Sequence, residues 1–151
     1  MRFLIVSGGE ATDEFVENVI KRGGYDVILA ADSGMDFLYR TKILPDIIVG
    51  DFDSVDPEVL EFFREHEEID ICALNPVKDD TDTEFAIRES IRRGATEITI
   101  IGGTGTRLDH VLGNISLLGI GLGGEVRMEL LDANNRIRMT DQPGVLQKKQ
   151  Q

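Results

Sequence analysis

Two aspartates two residues apart, Asp51 and Asp53, stand in the stretch VGDFDSVD, directly after the apolar run LPDIIV. In a regular strand, residues i and i+2 face the same side, so the two carboxylates would crowd each other. Like charges that close repel, and one tends to keep a proton. A hard divalent cation such as Mg²⁺ removes the conflict, because it takes oxygen ligands and commonly sits between carboxylates and a substrate phosphate. The plain alternative is a solvated turn, since Asp and Ser are common turn residues. A second acidic run, KDDTDTE, opens a helical pattern. Helix-dipole complementation explains Asp82 and Glu84, while Asp82 could also complete the metal site begun by Asp51 and Asp53. Lys78, beside Asp79 and Asp80, could contact a phosphate or lie on the solvated surface.

The third stretch with chemical content is GGTGTRLDH. Its glycines, Gly103 among them, let backbone N–H groups approach an anion, and the helix that follows adds positive potential at its start. Thr104 and Thr106 can donate hydroxyl hydrogen bonds, and Arg107 can grip a phosphate in bidentate fashion. Leu108 stands where the dinucleotide fingerprint needs its third glycine, and no Lys-Ser/Thr ending follows as in a Walker A loop. Asp109 is placed to bind a metal or to accept a hydrogen bond from a substrate. His110 on the same turn reads as structural.

These residues need a scaffold, and the periodicity supplies one. Apolar runs alternate with amphipathic segments: RFLIV, DVILAA, DIIVG, IDICAL, EITIIGG and EVRMELLD read as strands. Helices fall between them. Asp56 is a candidate N-cap with Pro57 at the first helical position, and Thr81 to Glu84 forms a capping box. The terminal RIRMTD is expected at the sheet edge. The pattern predicts an α/β protein with a doubly wound, mostly parallel sheet of about six strands and helices on both faces, Rossmann-like. Such sheets bind ligands beyond the carboxyl ends of their strands. Every strand here delivers polar or small residues to that edge: Ser7-Gly8-Gly9-Glu10, Asp32-Ser33-Gly34, Asp51 to Ser54, Lys78 to Asp82, Gly102 to Asp109, and Asp132-Ala133-Asn134-Asn135. Gly9, Asp32, Ser33 and Gly34 therefore join the phosphate-contact candidates, and Asn134 is a candidate substrate contact.

The chain has 151 residues, 41% of them hydrophobic, the size and composition of one packed domain. No apolar run is long enough to span a bilayer, and no membrane association is expected. A net charge of −12 argues against a nucleic-acid surface, which needs a basic stripe. The start is too short and too soon broken by Gly-Gly-Glu for a secretory signal. The single cysteine, Cys72, reads as a core thiol, and a cytoplasmic location follows as the expectation.

Taken in order, AADSG, PDIIVGDFDS, KDDTDTEFA, IGGTGTRLDH with GNISLL, and DANNRI closely resemble the catalytic domain of the thiamine pyrophosphokinase family. The resemblance implies transfer of the terminal diphosphate of ATP to the hydroxyl of thiamine, with Mg²⁺, giving thiamine diphosphate and AMP. It implies that Asp51, Asp53 and Asp82 bind metal and phosphate and that Asp32 and Asp109 are further acidic site positions. It also implies that Arg107 and the Thr104–Thr106 loop contact the polyphosphate, and that Lys78 lies near the substrate. Family members carry a C-terminal β-sandwich domain that helps form a homodimer and supplies part of the thiamine pocket. No matching strand-rich tail follows here, so residues 1–140 read as the ATP-binding catalytic domain and 141–151 as the start of a linker. The isolated chain is then expected to turn over thiamine poorly. Three rival readings stand beside this one. One is a diphosphokinase for another alcohol such as a hydroxymethylpterin, and one is an ATP–Mg²⁺ binding module without turnover. The third is an aspartyl-phosphate phosphatase, which leaves the Arg-bearing glycine loop without a task.

Overall fold

The computed structural model describes residues 1–74 and 81–148. Five parallel crossovers build the sheet from β1 (Arg2–Val6), β2 (Val27–Ala31), β3 (Ile47–Gly50), β4 (Asp70–Ala73), β5 (Glu97–Ile101) and β6 (Arg127–Leu131). A seventh strand, β7 (Arg136–Arg138), pairs antiparallel with β6 and closes the edge expected of RIRMTD. The spatial order is β4-β3-β2-β1-β5-β6-β7.

Side-chain alternation along the strands divides the core in two. Phe3, Ile5, Leu29, Val49, Ile98 and Ile100 point to one face, and Leu4, Val6, Ala30, Ile48 and Ile101 to the other. Strands buried on both faces read as continuous apolar runs, which is why the sequence shows them as such. The second face is covered by α1 (Asp13–Gly23), α2 (Gly34–Thr41) and α3 (Pro57–Arg64), through Val16, Met35, Leu38, Val59 and Phe63. The first is covered by α4 (Asp82–Arg92), by α5 (Leu108–Leu117) and by a 3₁₀ turn over Leu118–Gly121. The chain steps from β1 out to β4 with its helices on one face, then returns past β1 to β5 and β6 with its helices on the other. Keeping one hand of crossover while reversing direction requires that change of face. The sheet is therefore doubly wound, and its switch point lies between β1 and β5.

Local chemistry sets the element ends. Thr12 caps α1 by accepting from the Phe15 N–H at 3.1 Å, and Gly24 ends that helix at φ +59°. Asp56 caps α3 with Pro57 behind it. Thr81 caps α4 by accepting from the Glu84 N–H at 3.1 Å, but the Glu84 carboxylate pairs with Arg88 instead of reaching back, so only half of the capping box forms. Residues 141–148 carry no regular structure, and Val145 and Leu146 are almost fully exposed. Among the described residues, no helix is long and apolar enough to cross a membrane.

Candidate active site

The switch point opens into a cleft of about 800 Å³ between the β1–α1 and β5–α5 loops. Three backbone hydrogen bonds zip these loops together. Ser7 N–H donates to Ile101 O at 2.8 Å, Gly9 N–H to Gly102 O at 2.6 Å, and Glu10 N–H to Thr104 O at 3.0 Å. The approach is too close for side chains: a Cβ on Gly9 would lie 2.3 Å from Gly102 O, and one on Gly102 would lie 2.0 Å from Ser7 O. Gly9 is thus needed for the join, and its N–H is already spent there.

The N–H groups of Gly103, Thr104, Gly105 and Thr106 are different. None of them donates to an acceptor among the described residues. They run into the start of α5, which has no side-chain cap. Free amides at an uncapped helix start form a cradle for an anion. The Thr104 hydroxyl does not add to it, because its proton goes to Asp132 Oδ2 at 3.0 Å. Thr106 and Arg107 are exposed on the cleft rim, where the Arg107 guanidinium grips Asp109, Nη2 to Oδ2 at 2.7 Å. Arg107 holds the Asp109 carboxyl below the usual carboxylate range.

The acidic residues gather at the other end of the site. Asp32 follows β2 in a left-handed conformation, φ +47°, and its N–H is fixed on Val49 O. Asp82 opens α4, and both line the cleft. Burial, then the charges of Asp32 and Asp51, pushes the Asp82 carboxyl up to about 6. Burial, then Asp51, raises Asp32 as well. Asp32 Oδ1 is buried with no hydrogen-bond partner among the described residues. Asp32 acts on Asp82, and the charge of Asp51 reaches both of them. Asp53 is exposed, and its N–H donates to Asp51 Oδ1 at 3.2 Å. The strand stops at Gly50, and Phe52 between the two aspartates is left-handed at φ +64°, so strand alternation does not govern this pair. An orphaned buried carboxylate oxygen among mutually repelling acids fits a divalent cation. The residues converge without closing: no cluster of three or more acidic, His or Cys residues among the described residues is preassembled as a metal cage.

The remaining candidates fall in different places. Ser33 lines the cleft at the start of α2. Gly34 is buried against β1, where a Cβ would meet Val6 O at 1.8 Å, and it does not line the cleft. Asn134 sits on the exposed β6–β7 turn outside the cleft lining, with its N–H on Asp132 Oδ1 at 2.8 Å. Lys78, Asp79 and Asp80 lie outside the described residues. Two contacts were assigned no role from the sequence. Asn114 reaches from α5 to Gly103 O at 2.8 Å, and the Ser7 and Thr83 hydroxyls meet at 3.0 Å, joining β1 to α4. Asn114 lies inside GNISLL, but only the fold shows that this turn of helix faces the loop.

Residues 22–124 match the family model described as thiamin pyrophosphokinase, catalytic domain. The chain is 35% identical over 114 residues to thiamine pyrophosphokinase of Bacillus subtilis (strain 168), covering 74% of this chain and 51% of that one. It is 34% identical over 85 residues to thiamine pyrophosphokinase 1 of Oryza sativa subsp. japonica, covering 52% and 32%. In structure it is similar to the Bacillus subtilis enzyme, with a TM-score of 0.76 at 27% identity over 91% of this chain and 63% of that chain. It is also similar to a thiamin pyrophosphokinase family protein from Enterococcus faecalis, with a TM-score of 0.72 at 32% identity over 91% and 64%. The chain spans about half the length of the Bacillus subtilis relative it matches in sequence.

Proposed function

We propose, from the premise that this chain belongs to the thiamin pyrophosphokinase family and matches its catalytic domain, that its cleft binds ATP and moves the terminal diphosphate to the hydroxyl of thiamine, releasing AMP. One observation carries the reading. The cleft holds the free N–H groups of Gly103–Thr106 at one end and the mutually repelling carboxylates of Asp32 and Asp82, backed by Asp51, at the other. A polyphosphate paired with a divalent cation needs both.

The loop amides bind phosphate oxygens, and Arg107 adds a bidentate grip once it exchanges Asp109 for phosphate. Asp51, Asp53 and Asp82, with Asp32 beside them, are the residues to hold Mg²⁺, which when bound offsets the phosphate charge and eases the departure of AMP. The alcohol oxygen bonds to the β-phosphorus while the bond from that phosphorus to the oxygen of the AMP leaving group breaks. The alcohol proton has two acceptors on this chain, Asp82 and Asp109. Arg107 already stabilises the charge of Asp109, whereas in the metal-free chain burial and the charges of Asp32 and Asp51 raise Asp82. Positioning and charge placement supply the rest, as in phosphoryl transfer generally.

The test is AMP production by the chain from ATP and Mg²⁺, with thiamine or other primary alcohols such as a hydroxymethylpterin. Slow release of AMP that nevertheless rises specifically with thiamine, and falls at least roughly tenfold in Arg107→Ala, is the expected result. AMP release driven by a different alcohol would move the assignment to that substrate, and ATP binding with no alcohol-dependent release would reduce the site to a nucleotide-binding module.

A further inference from the structure

We infer that Asp132, which lies outside the cleft, is a positioning residue that fixes the glycine loop in the shape that presents its free N–H groups. The inference rests on the polyphosphate reading of that loop for its functional consequence.

Asp132 follows the last residue of β6, and its carboxylate is the hub of the β6–β7 turn. Oδ1 accepts from the N–H groups of Asn134 at 2.8 Å and Asn135 at 2.6 Å, and the Asn135 side-chain amide donates to both oxygens at 3.1 Å. The Asp132 N–H closes the turn on Asn135 O at 3.0 Å. A carboxylate held by so many donors has one orientation, and in it Oδ2 receives the Thr104 hydroxyl at 3.0 Å. Burial opposes ionisation of Asp132, but the hydrogen bonds from Asn135, Asn134 and Thr104 outweigh it and keep the group charged.

Thr104 is pinned on two sides. Its carbonyl accepts from Glu10 on the β1 side, and its hydroxyl donates to Asp132 on the β6 side. Asn114 holds the neighbouring Gly103 carbonyl from α5. Three elements thus grip one short cleft-lining loop by its carbonyls and its hydroxyl, which leaves its N–H groups unpaired among the described residues. Because the Thr104 proton is committed to Asp132, removing that hydroxyl deletes the anchor without deleting a donor to phosphate. Asp132→Ala and Thr104→Val should therefore do the same thing.

The experiment uses the full chain with Asp132→Ala, Thr104→Val, the double variant and Thr104→Ser. Two readouts separate the anchor from the ligand. In the ligand-free chain, ¹⁵N order parameters of Gly103–Thr106 should drop from rigid values of about 0.85 toward 0.6 in both single variants and stay high in Thr104→Ser. In calorimetry with Mg²⁺, each single variant should lose about tenfold in ATP affinity with adenosine affinity unchanged. The double variant should lose no more than either single one, because both break one link. Unchanged order parameters, or losses that multiply to about a hundredfold, would overturn the role of Asp132. Loop loosening in a wild-type background that binds no ATP would uphold the anchor and refute the polyphosphate reading.

Discussion

At the scale of single residues, the site is a set of charges held in unfavourable company. Asp82 is pushed up to about 6 by burial and by Asp32 and Asp51, above an ordinary aspartate at 3.8. A carboxyl whose folded value is raised contributes its full stability only below the unfolded value, and loses that contribution as pH rises from about 4 to about 6. In chelator-treated, metal-free buffer, Asp82→Asn should therefore flatten this fall and leave the variant more stable than wild type at pH 7. The gain should be about 1 kcal/mol, after allowing for solvent screening of a partly buried group. Urea unfolding at pH 4 and pH 7 measures it, and equal pH slopes in both proteins would refute the coupling. The sequence locates these acids, but its strand-alternation argument does not hold at this pair. It grouped Asp51 with Asp53 by strand alternation, and the left-handed Phe52, φ +64°, breaks that alternation. A positive φ at a bulky residue leaves no mark in composition or spacing. For the same kind of reason sequence reasoning assigns the Thr104 proton to a ligand, when its partner, Asp132, is 28 residues away and is brought close only by the sheet.

At the scale of elements, nearly every helix and strand was legible, because caps and stops are local chemistry. Asp56-Pro57 and Thr81 mark helix starts in both sequence and structure, and in the structure Thr12 and Gly24 bound α1. The stretch LDHVLGNISLLGIGL, residues 108–122, carries one helical pattern, yet in the structure it divides into α5 and a 3₁₀ turn among the glycines. Glycines also separate two tasks that a sequence does not distinguish. Gly9 sits where two loops are zipped, and a Cβ there would strike Gly102 O and Thr104 O. Gly113 lies inside α5 with nothing within 4 Å of a Cβ. Gly9→Ala should destabilise the chain by about 1–3 kcal/mol through forced separation of the loops. Gly113→Ala should stabilise it by about 0.5–1 kcal/mol through helix propensity. Denaturant midpoints moving in the same direction for both would contradict this division.

At the scale of the whole molecule, the fold class followed from alternating strands and helices, but the strand order did not. Periodicity says that a strand is buried on two faces and is silent on which strands are its neighbours. Placing β1 beside β5 is what sets the Ser7–Glu10 and Gly102–Arg107 loops against each other. The loops after β2 and β3 and the start of α4 then bring the acids to the same edge of the sheet. A chain with net charge −12 can accept a polyphosphate there only if cations and amides are supplied locally. That requirement is the centre of the account, and titration calorimetry of ATP into the 151-residue chain, with and without Mg²⁺, tests it most directly. The account predicts binding that depends on Mg²⁺ and that weakens about tenfold or more in Asp51→Asn and Asp82→Asn, with the fold retained. ATP binding that is equally tight without Mg²⁺, or unchanged in both variants, would contradict it.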